Sequence, residues 1–461
     1  MDRIDNFLAI VRDYVWSVPL LLLLLGTGAY LTLILKGVQF RYLGYAIKQV
    51  FARQREGSDG DISHFEALMT SLAGAIGTGT IVGVATAITI GGLGAMFWMW
   101  ITAFLSMATK YAESLLAVKY RELDARNEMI GGPMQYIEKG LGWKWMAALF
   151  AIFGAIAAIG TGNLVQVNSI ADAVKETLQT DPWITGVVLA LFTGLVIMGG
   201  VKSIGHVAGV LVPFMAVFYI VGGLIILAMH YDRIPEAISL IMKSAFSGQA
   251  AAGGFAGATV MMAVKMGVAR SVFSNEAGLG ISSIAAAAAR TDSPGRQAMI
   301  TMTGALLSTV IVCSITGLVL AVTGVLGTTT EDGATLNGVA LAMKAFDIFP
   351  GGRYVVSVGL ILFAFSTVIA WAYYGEKCCE YLFGTKSVIM YRLIFTLLVI
   401  PGAALKIEMA WNLADIMNGL MAIPNLIAVI ALSKVIVAET DTFLEKVKQE
   451  KNEQKSLQNT P

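Results

Sequence analysis

Charge is what this chain has least of. Asp, Glu, Lys and Arg make up 14% of its 461 residues, against roughly 25% in an ordinary soluble domain, so most of its surface is not built to face water. Three cysteines, two of them adjacent at 378 and 379, exclude a disulfide framework and a thiolate metal cluster. The three histidines, His64, His206 and His230, fall near the ends of separate apolar runs and cannot share one ion. There is no GxxxxGK[ST] phosphate loop, no HExxH, and no serine, histidine and acid converging at one depth. ATP-driven transport and hydrolase chemistry therefore lack their parts, and the chain reads as no enzyme. A formal net charge of +1 gives no nucleic-acid signal.

What fills the chain instead is apolar, 56% of all residues, in runs of about helix-spanning length. A helix keeps its backbone hydrogen bonds internal while crossing hydrocarbon, whereas a barrel would show short alternating stretches. The reading is an all-α polytopic membrane protein with spans near 15–35, 66–90, 94–118, 147–171, 183–201, 206–229, 260–290, 298–323, 354–376, 389–405 and 409–433, eleven in all. The first run is too long for a secretory h-region and ends at Lys36, so it is a retained span. Loop cations set the orientation. One set of connections and the C-terminal tail carries 21 lysines and arginines and the opposite set 8, which puts the N-terminus outside and the C-terminus in the cytoplasm. Residues 236–260 are expected at the outer surface, and the tail from 434 as a solvated, partly ordered end.

Two spans carry pairs of glycines in an odd arrangement. Gly77 and Gly79 in span 2, and Gly278 and Gly280 in span 7, stand two apart and so point to opposite sides of a helix, where they cannot serve one packing seam. They suit short unwound pieces. Span 7 adds Ser274, Asn275 and Glu276, residues that prefer caps and turns. Glu276 would cost about 2.5 to 3.5 kcal/mol if it met lipid, so it is expected to hold the break together by accepting hydrogen bonds from freed N–H groups. Setting span 1 aside, spans 2–6 and 7–11 form two groups of five, each opened by its broken member. Five is odd, so the groups run in opposite senses, the geometry of inverted repeats. The chain then divides into a peripheral span with its connection (1–60), a first repeat (61–235), a second repeat (236–433) and the tail (434–461).

Unwound turns expose carbonyls to a cation and N–H groups to an anion, which suits a zwitterion and its driving ion. Candidates for the wall are Asn163 and Gln166, which share a face at i, i+3 in an α-helix, and Asn168, which points away from Gln166. Span 9 offers Thr367 and Trp371 on one face, with Ser366 as a second hydroxyl able to ligate a hard cation. Phe273 is placed to close over a ligand. The pocket left between Phe273, Ile281 and Trp371 has room for a small side chain.

At these residues the sequence resembles a known family. GTGTIVGVATAITIGGLGAMFWMW (77–100), GGPMQYIEKGLG (131–142), GTGNLVQVNSIADAV (160–174), GVARSVFSNEAGLG (267–280) and FSTVIAWAYYGE of span 9 are similar, in order and over almost the whole chain, to the prokaryotic alanine or glycine:cation symporters. That resemblance implies a leucine-transporter-like core of two five-helix inverted repeats. It implies uptake of alanine or glycine coupled to sodium, which is the co-transported ion, with no organic cofactor. A monomer in the lipid bilayer of a prokaryotic plasma membrane is implied as well. Carried over by position, Gly77, Thr78 and Gly79 would meet the carboxylate, Phe273 would gate, and the span 4 polar residues with Thr367 and Trp371 would complete the pocket. Sodium would take the carbonyls of Ala73 and Ile76 and the hydroxyls of Ser366 and Thr367. One departure stands: relatives commonly read GTGNI where this chain has Thr80, so a role tied to that amide does not transfer. A proton as driving ion, and a passive channel, are the competing readings.

Overall fold

The computed structural model describes residues 2–52, 58–247, 259–329, 333, 335–405 and 407–458. Part of the 236–260 segment, and Arg53, Arg55 and Lys406 of the loop count, lie outside them. All eleven predicted segments are helical. Spans 1 to 6 are Val18–Ile34, His64–Ala75 with Gly79–Gly91, Gly94–Lys119, Lys144–Leu178, Pro182–Ile197 and Gly200–Met229. Spans 7 to 11 are Val260–Asn275 with Ser283–Ala287, Pro294–Thr323, Gly352–Phe383, Ser387–Gly402 and Ile407–Ala431.

Five helices are long and apolar enough to cross a membrane unaided, and two bent pairs raise that to seven among the described residues. Spans 5 and 10, with 16 residues each, reach only about 24 Å. They pack against one another. Spans 3 and 7 fall short of the apolar criterion because charged residues sit inside them. The protein is a multi-pass membrane protein.

Helix starts are fixed locally. Ser63 accepts from the Glu66 N–H at 3.1 Å while the Glu66 carboxylate accepts from the Ser63 N–H at 2.8 Å, a reciprocal cap that opens span 2. Ser293 caps span 8 and Asp181 caps span 5, each with proline next. The two groups of five are related as a two-fold requires, since equivalent members pack together: span 2 on 7, 3 on 8, 4 on 9 and 5 on 10.

Three expectations change at the periphery. Residues 2–15 form their own amphipathic helix, bent 42° from span 1 and packed on span 11. Ile234–Ser247 is a helix that lays Ala245 against the start of span 3, where the Trp98 indole donates to its carbonyl at 3.3 Å. The tail is not a solvated end. Ser433–Gln458 is a helix whose Ile436, Phe443 and Val447 are buried, because these apolar residues recur at helical spacing and find Gly295 beneath Phe443. Arg296 pairs with Glu450 at 2.6 Å, Lys446 with Asp292 at 2.9 Å and Lys119 with Glu439 at 2.7 Å.

Candidate functional site

Span 2 stops being an α-helix at Ala75, turns through Ile76, and resumes at Gly79 with a π-helical turn to Gly83, bending 51°. The Ala73 carbonyl, left behind by the break, accepts hydrogen bonds from Thr367 Oγ1 at 2.9 Å and Ser366 Oγ at 3.3 Å. Three of the four residues expected around sodium are thus within hydrogen-bonding distance, and Ile76 is the residue at the turn. No cluster of His, Cys, Asp or Glu able to hold a metal occurs among the described residues. A carbonyl and hydroxyl site is the kind a weakly bound, exchangeable cation uses.

The same turn is where the chain leaves room for a ligand. A Cβ on Gly77 would lie 2.3 Å from Thr367 Oγ1 and 2.9 Å from Gln166 Oε1, and one on Gly79 would lie 2.5 Å from the Phe273 ring. Only glycine permits these approaches. Gln166 Oε1 accepts from the Thr78 N–H at 3.1 Å, a position that a substrate carboxylate could take over. Trp371 is buried with its Cβ pressed against Gly162 of span 4. Gly77, Thr78, Gly79, Gln166, Phe273, Thr367 and Trp371 therefore meet around the break.

Other expected residues lie elsewhere. Asn163 donates to the Phe395 carbonyl at 2.7 Å and Asn168 to the Leu405 carbonyl at 2.7 Å, tying span 4 to span 10 and the loop after it. The i, i+3 argument fails for Asn163 because residues 158–164 are π-helical, and the wider turn takes Asn163 off the face that Gln166 occupies. Ile281 points toward Gly154, eight residues and so about 12 Å along the axis from Gly162. It does not close a pocket with Phe273 and Trp371. Thr80 Oγ1 donates to the Gly77 carbonyl at 2.7 Å and so braces the turn.

In span 7 the break runs from Glu276 to Ser282, with Glu276, Gly278 and Gly280 at φ 58, 86 and 76. Asn275 Oδ1 accepts from the Ala277 N–H at 3.0 Å and Ser274 faces Cys313 and Thr309. Glu276 does not accept the freed N–H groups. That task falls to Glu113 of span 3, whose Oε1 takes the Gly278 N–H at 2.9 Å and Asn425 Nδ2 at 2.6 Å. Asn425 also donates to the Gly278 carbonyl at 2.9 Å and accepts from the Tyr136 hydroxyl. Lys110 Nζ donates to the Asn275 carbonyl at 2.7 Å. The signal for this support was in the sequence: Lys110, Lys265 and Arg270 are the cations that belong to no loop, and Glu113 stands three residues from Lys110.

Toward the N-terminal face, a cavity of about 790 Å³ opens between the first helix, spans 2, 7 and 11, and the helix Gly338–Phe346. Arg270 and Asp415, paired at 2.8 Å, lie in its wall. The Arg270 guanidinium sits 4.9 Å from the Trp411 ring, which packs 5.0 Å from Phe273. Beneath Phe273 is Gly79. The C-terminal face is sealed: Arg290 N donates to the Ile62 carbonyl at 2.7 Å, and Arg121 reaches the carbonyls of Ala287, Ala289 and Asp59. Asp61 accepts from the Met129 N–H at 2.7 Å, and burial pushes its carboxyl above the ordinary range.

Two discontinuous helices meeting at mid-chain depth, with a vestibule on one face and a seal on the other, define a secondary transporter, not an enzyme. The sequence pattern of the sodium:alanine symporter family matches residues 1–457. The sodium/alanine symporter AgcS of Methanococcus maripaludis is 54% identical over 442 residues, covering 94% of this chain and 96% of AgcS. The amino-acid carrier protein AlsT of Bacillus subtilis is 33% identical over 434 residues, covering 94% and 90%. Among solved structures, MhsT in complex with L-phenylalanine shares the fold at a TM-score of 0.57 and 16% identity, over 84% of this chain and 93% of MhsT. A manganese transporter of Eremococcus coleocola does so at 0.54 and 14%, over 81% and 78%. The chain belongs to the sodium:alanine symporter family, and it is a sodium-coupled amino-acid symporter.

Proposed function

We propose that the protein takes up small neutral amino acids, alanine and glycine foremost, with sodium moving inward in the same cycle, by alternating exposure of the span 2 and span 7 breaks. The observation that carries this reading is the contact of Ala73, Ser366 and Thr367 directly beside Gly77. An ion held there would order the turn that receives the carboxylate, so each ligand would raise the affinity of the other. The N-terminal face, with its vestibule, would be extracellular, and the cation-rich C-terminal face cytoplasmic. Gly77, Thr78 and Gly79 would bind the carboxylate in place of Gln166 Oε1. Phe273, backed by Trp411 and the Arg270–Asp415 pair, would close over the substrate, and Trp371 would limit its side chain. One chain holds the whole site. Proteoliposomes loaded without sodium should accumulate labelled alanine on an inward sodium gradient and exchange it against excess unlabelled alanine. Sodium-independent equilibration without exchange would mean a channel and refute the reading.

A further inference from the structure

The helices beside the breaks bury three charges that the sodium and substrate sites leave unused. Lys110, Glu113 and Glu276 are each no more than 1% exposed. Two carboxylates and one ammonium leave one negative charge uncompensated, and a bare charge taken out of water is neutralised rather than tolerated. Glu113 has a reason to stay ionised, since the Gly278 N–H and Asn425 Nδ2 both donate to it. Glu276 has none: neither carboxylate oxygen receives a hydrogen bond.

The groups facing Glu276 are few. Span 3 presents Lys110, already donating to the Asn275 carbonyl, and Glu113. Span 9 presents Trp371 and Tyr374, and the Tyr374 hydroxyl donates to the Thr70 carbonyl at 3.2 Å. Span 2 presents Gly74, whose Cβ position lies 2.8 and 3.1 Å from the two oxygens. A sodium ion needs several oxygens around it, and this wall of glycine and ring carbon does not offer them. A proton needs only the carboxylate.

We propose that Glu276 binds one proton in each transport cycle and carries it inward with the substrate, a reading that rests on the symporter function above. The residue is placed to couple. It is the left-handed residue at which span 7 breaks, and it touches Gly74, next to the Ala73 carbonyl of the sodium set. When the C-terminal face opens, water reaches this contact and the carboxylic O–H passes its proton to it. The carboxylate is reprotonated from the vestibule face before the next closure.

The test uses the whole protein in proteoliposomes with a trapped pH dye, the voltage clamped by potassium and valinomycin, and an inward sodium gradient. Adding alanine should acidify the lumen by about one proton per alanine taken up. Glu276→Gln should abolish the acidification and keep sodium-driven alanine uptake. Alanine uptake at constant luminal pH in the parent protein overturns the proposal, and does so even if no variant folds; two sodium ions per alanine in that experiment would place a second cation at the site instead. Acidification that persists in Glu276→Gln removes Glu276 from the role. Absence of any sodium-driven alanine uptake brings down the symporter reading itself, and the proposal with it.

Discussion

Removing the hydroxyl of Thr367 while keeping its branched shape isolates the sodium site from the substrate pocket. In Thr367→Val the methyl groups still fill the space beside Gly77, but the oxygen that meets the Ala73 carbonyl at 2.9 Å is gone. Losing one polar contact of this kind costs about 1 to 3 kcal/mol, equivalent to roughly 5- to 150-fold in affinity. Ser366→Ala should act in the same range. The double variant should fall short of the product of the two. Both hydroxyls donate to Ala73 in the ion-free geometry, so losing both leaves that carbonyl unsatisfied and raises the energy of the empty state, which returns part of the lost affinity. Thr367→Ser retains the oxygen and should stay near the parent. The assay is a sodium titration of thermal stabilisation in detergent, which reads binding without transport, set beside the sodium dependence of alanine uptake. A sodium half-saturation within twofold of the parent in both single variants would refute the site.

Four further outcomes are expected. Gly77→Ala drives a methyl to within 2.3 Å of Thr367 and 2.9 Å of Gln166; overpacking of this order costs about 1 to 3 kcal/mol, and alanine-induced thermal stabilisation should disappear from a protein that still folds. Trp371→Ala opens space beside Gly162 and should let serine, glutamine and leucine compete with alanine, because each added methylene is worth about 1 to 3 kcal/mol of discrimination; an unchanged competition panel would return Trp371 to simple packing. Asn425→Ala leaves Glu113 and the Gly278 carbonyl short of donors, at about 1 to 3 kcal/mol each, and should lower the melting temperature with and without sodium. Burial works to raise the Asp292 carboxyl, but hydrogen bonds and charge from Arg296 and Lys446 outweigh it and hold it below the ordinary range. Its hold on the C-terminal helix is therefore complete above about pH 4 and is lost as pH falls through the depressed value; proteolysis of the tail should accelerate in acid, and Lys446→Ala should narrow that difference.

The spans and the two breaks were legible in the sequence because lipid imposes them. A backbone that cannot hydrogen-bond to water must be helical, and glycines two apart have few uses in a helix other than leaving it. The sodium set was legible for the same reason, since it is built from the broken turn and adjacent hydroxyls. The wall was only partly so. Gln166 could be placed beside Gly77 by family resemblance, but Asn163 and Ile281 needed the winding of the helix between them, which no spacing of residues revealed. Lys110 and Glu113 went unread because charges were sorted by loop, and these two belong to none. The tail hid its docking face behind a high charge content. Its Ile436, Thr440, Phe443 and Val447 repeat at intervals of four, three and four, sparse for a helix meant to stick but sufficient over Gly295.

The π-helical winding of residues 158–164, matched by similar turns at 79–83 and 306–313, also bears on how relatives should be compared. A π turn is an α-helix holding one residue too many. A relative that has shed that residue would keep the same span and the same neighbours, yet every side chain on one side of the deletion would rotate by about 100° against those on the other. Position-by-position alignment through Gly160 to Gln166 would then pair a site residue with one that faces span 10. Deleting one residue between Ala158 and Thr161 in this chain would impose the same rotation, turning Gln166 away from Thr78 while leaving the helix intact, so natural variation in length at this turn is a route by which the family could exchange one substrate-facing side chain for another without rebuilding the fold.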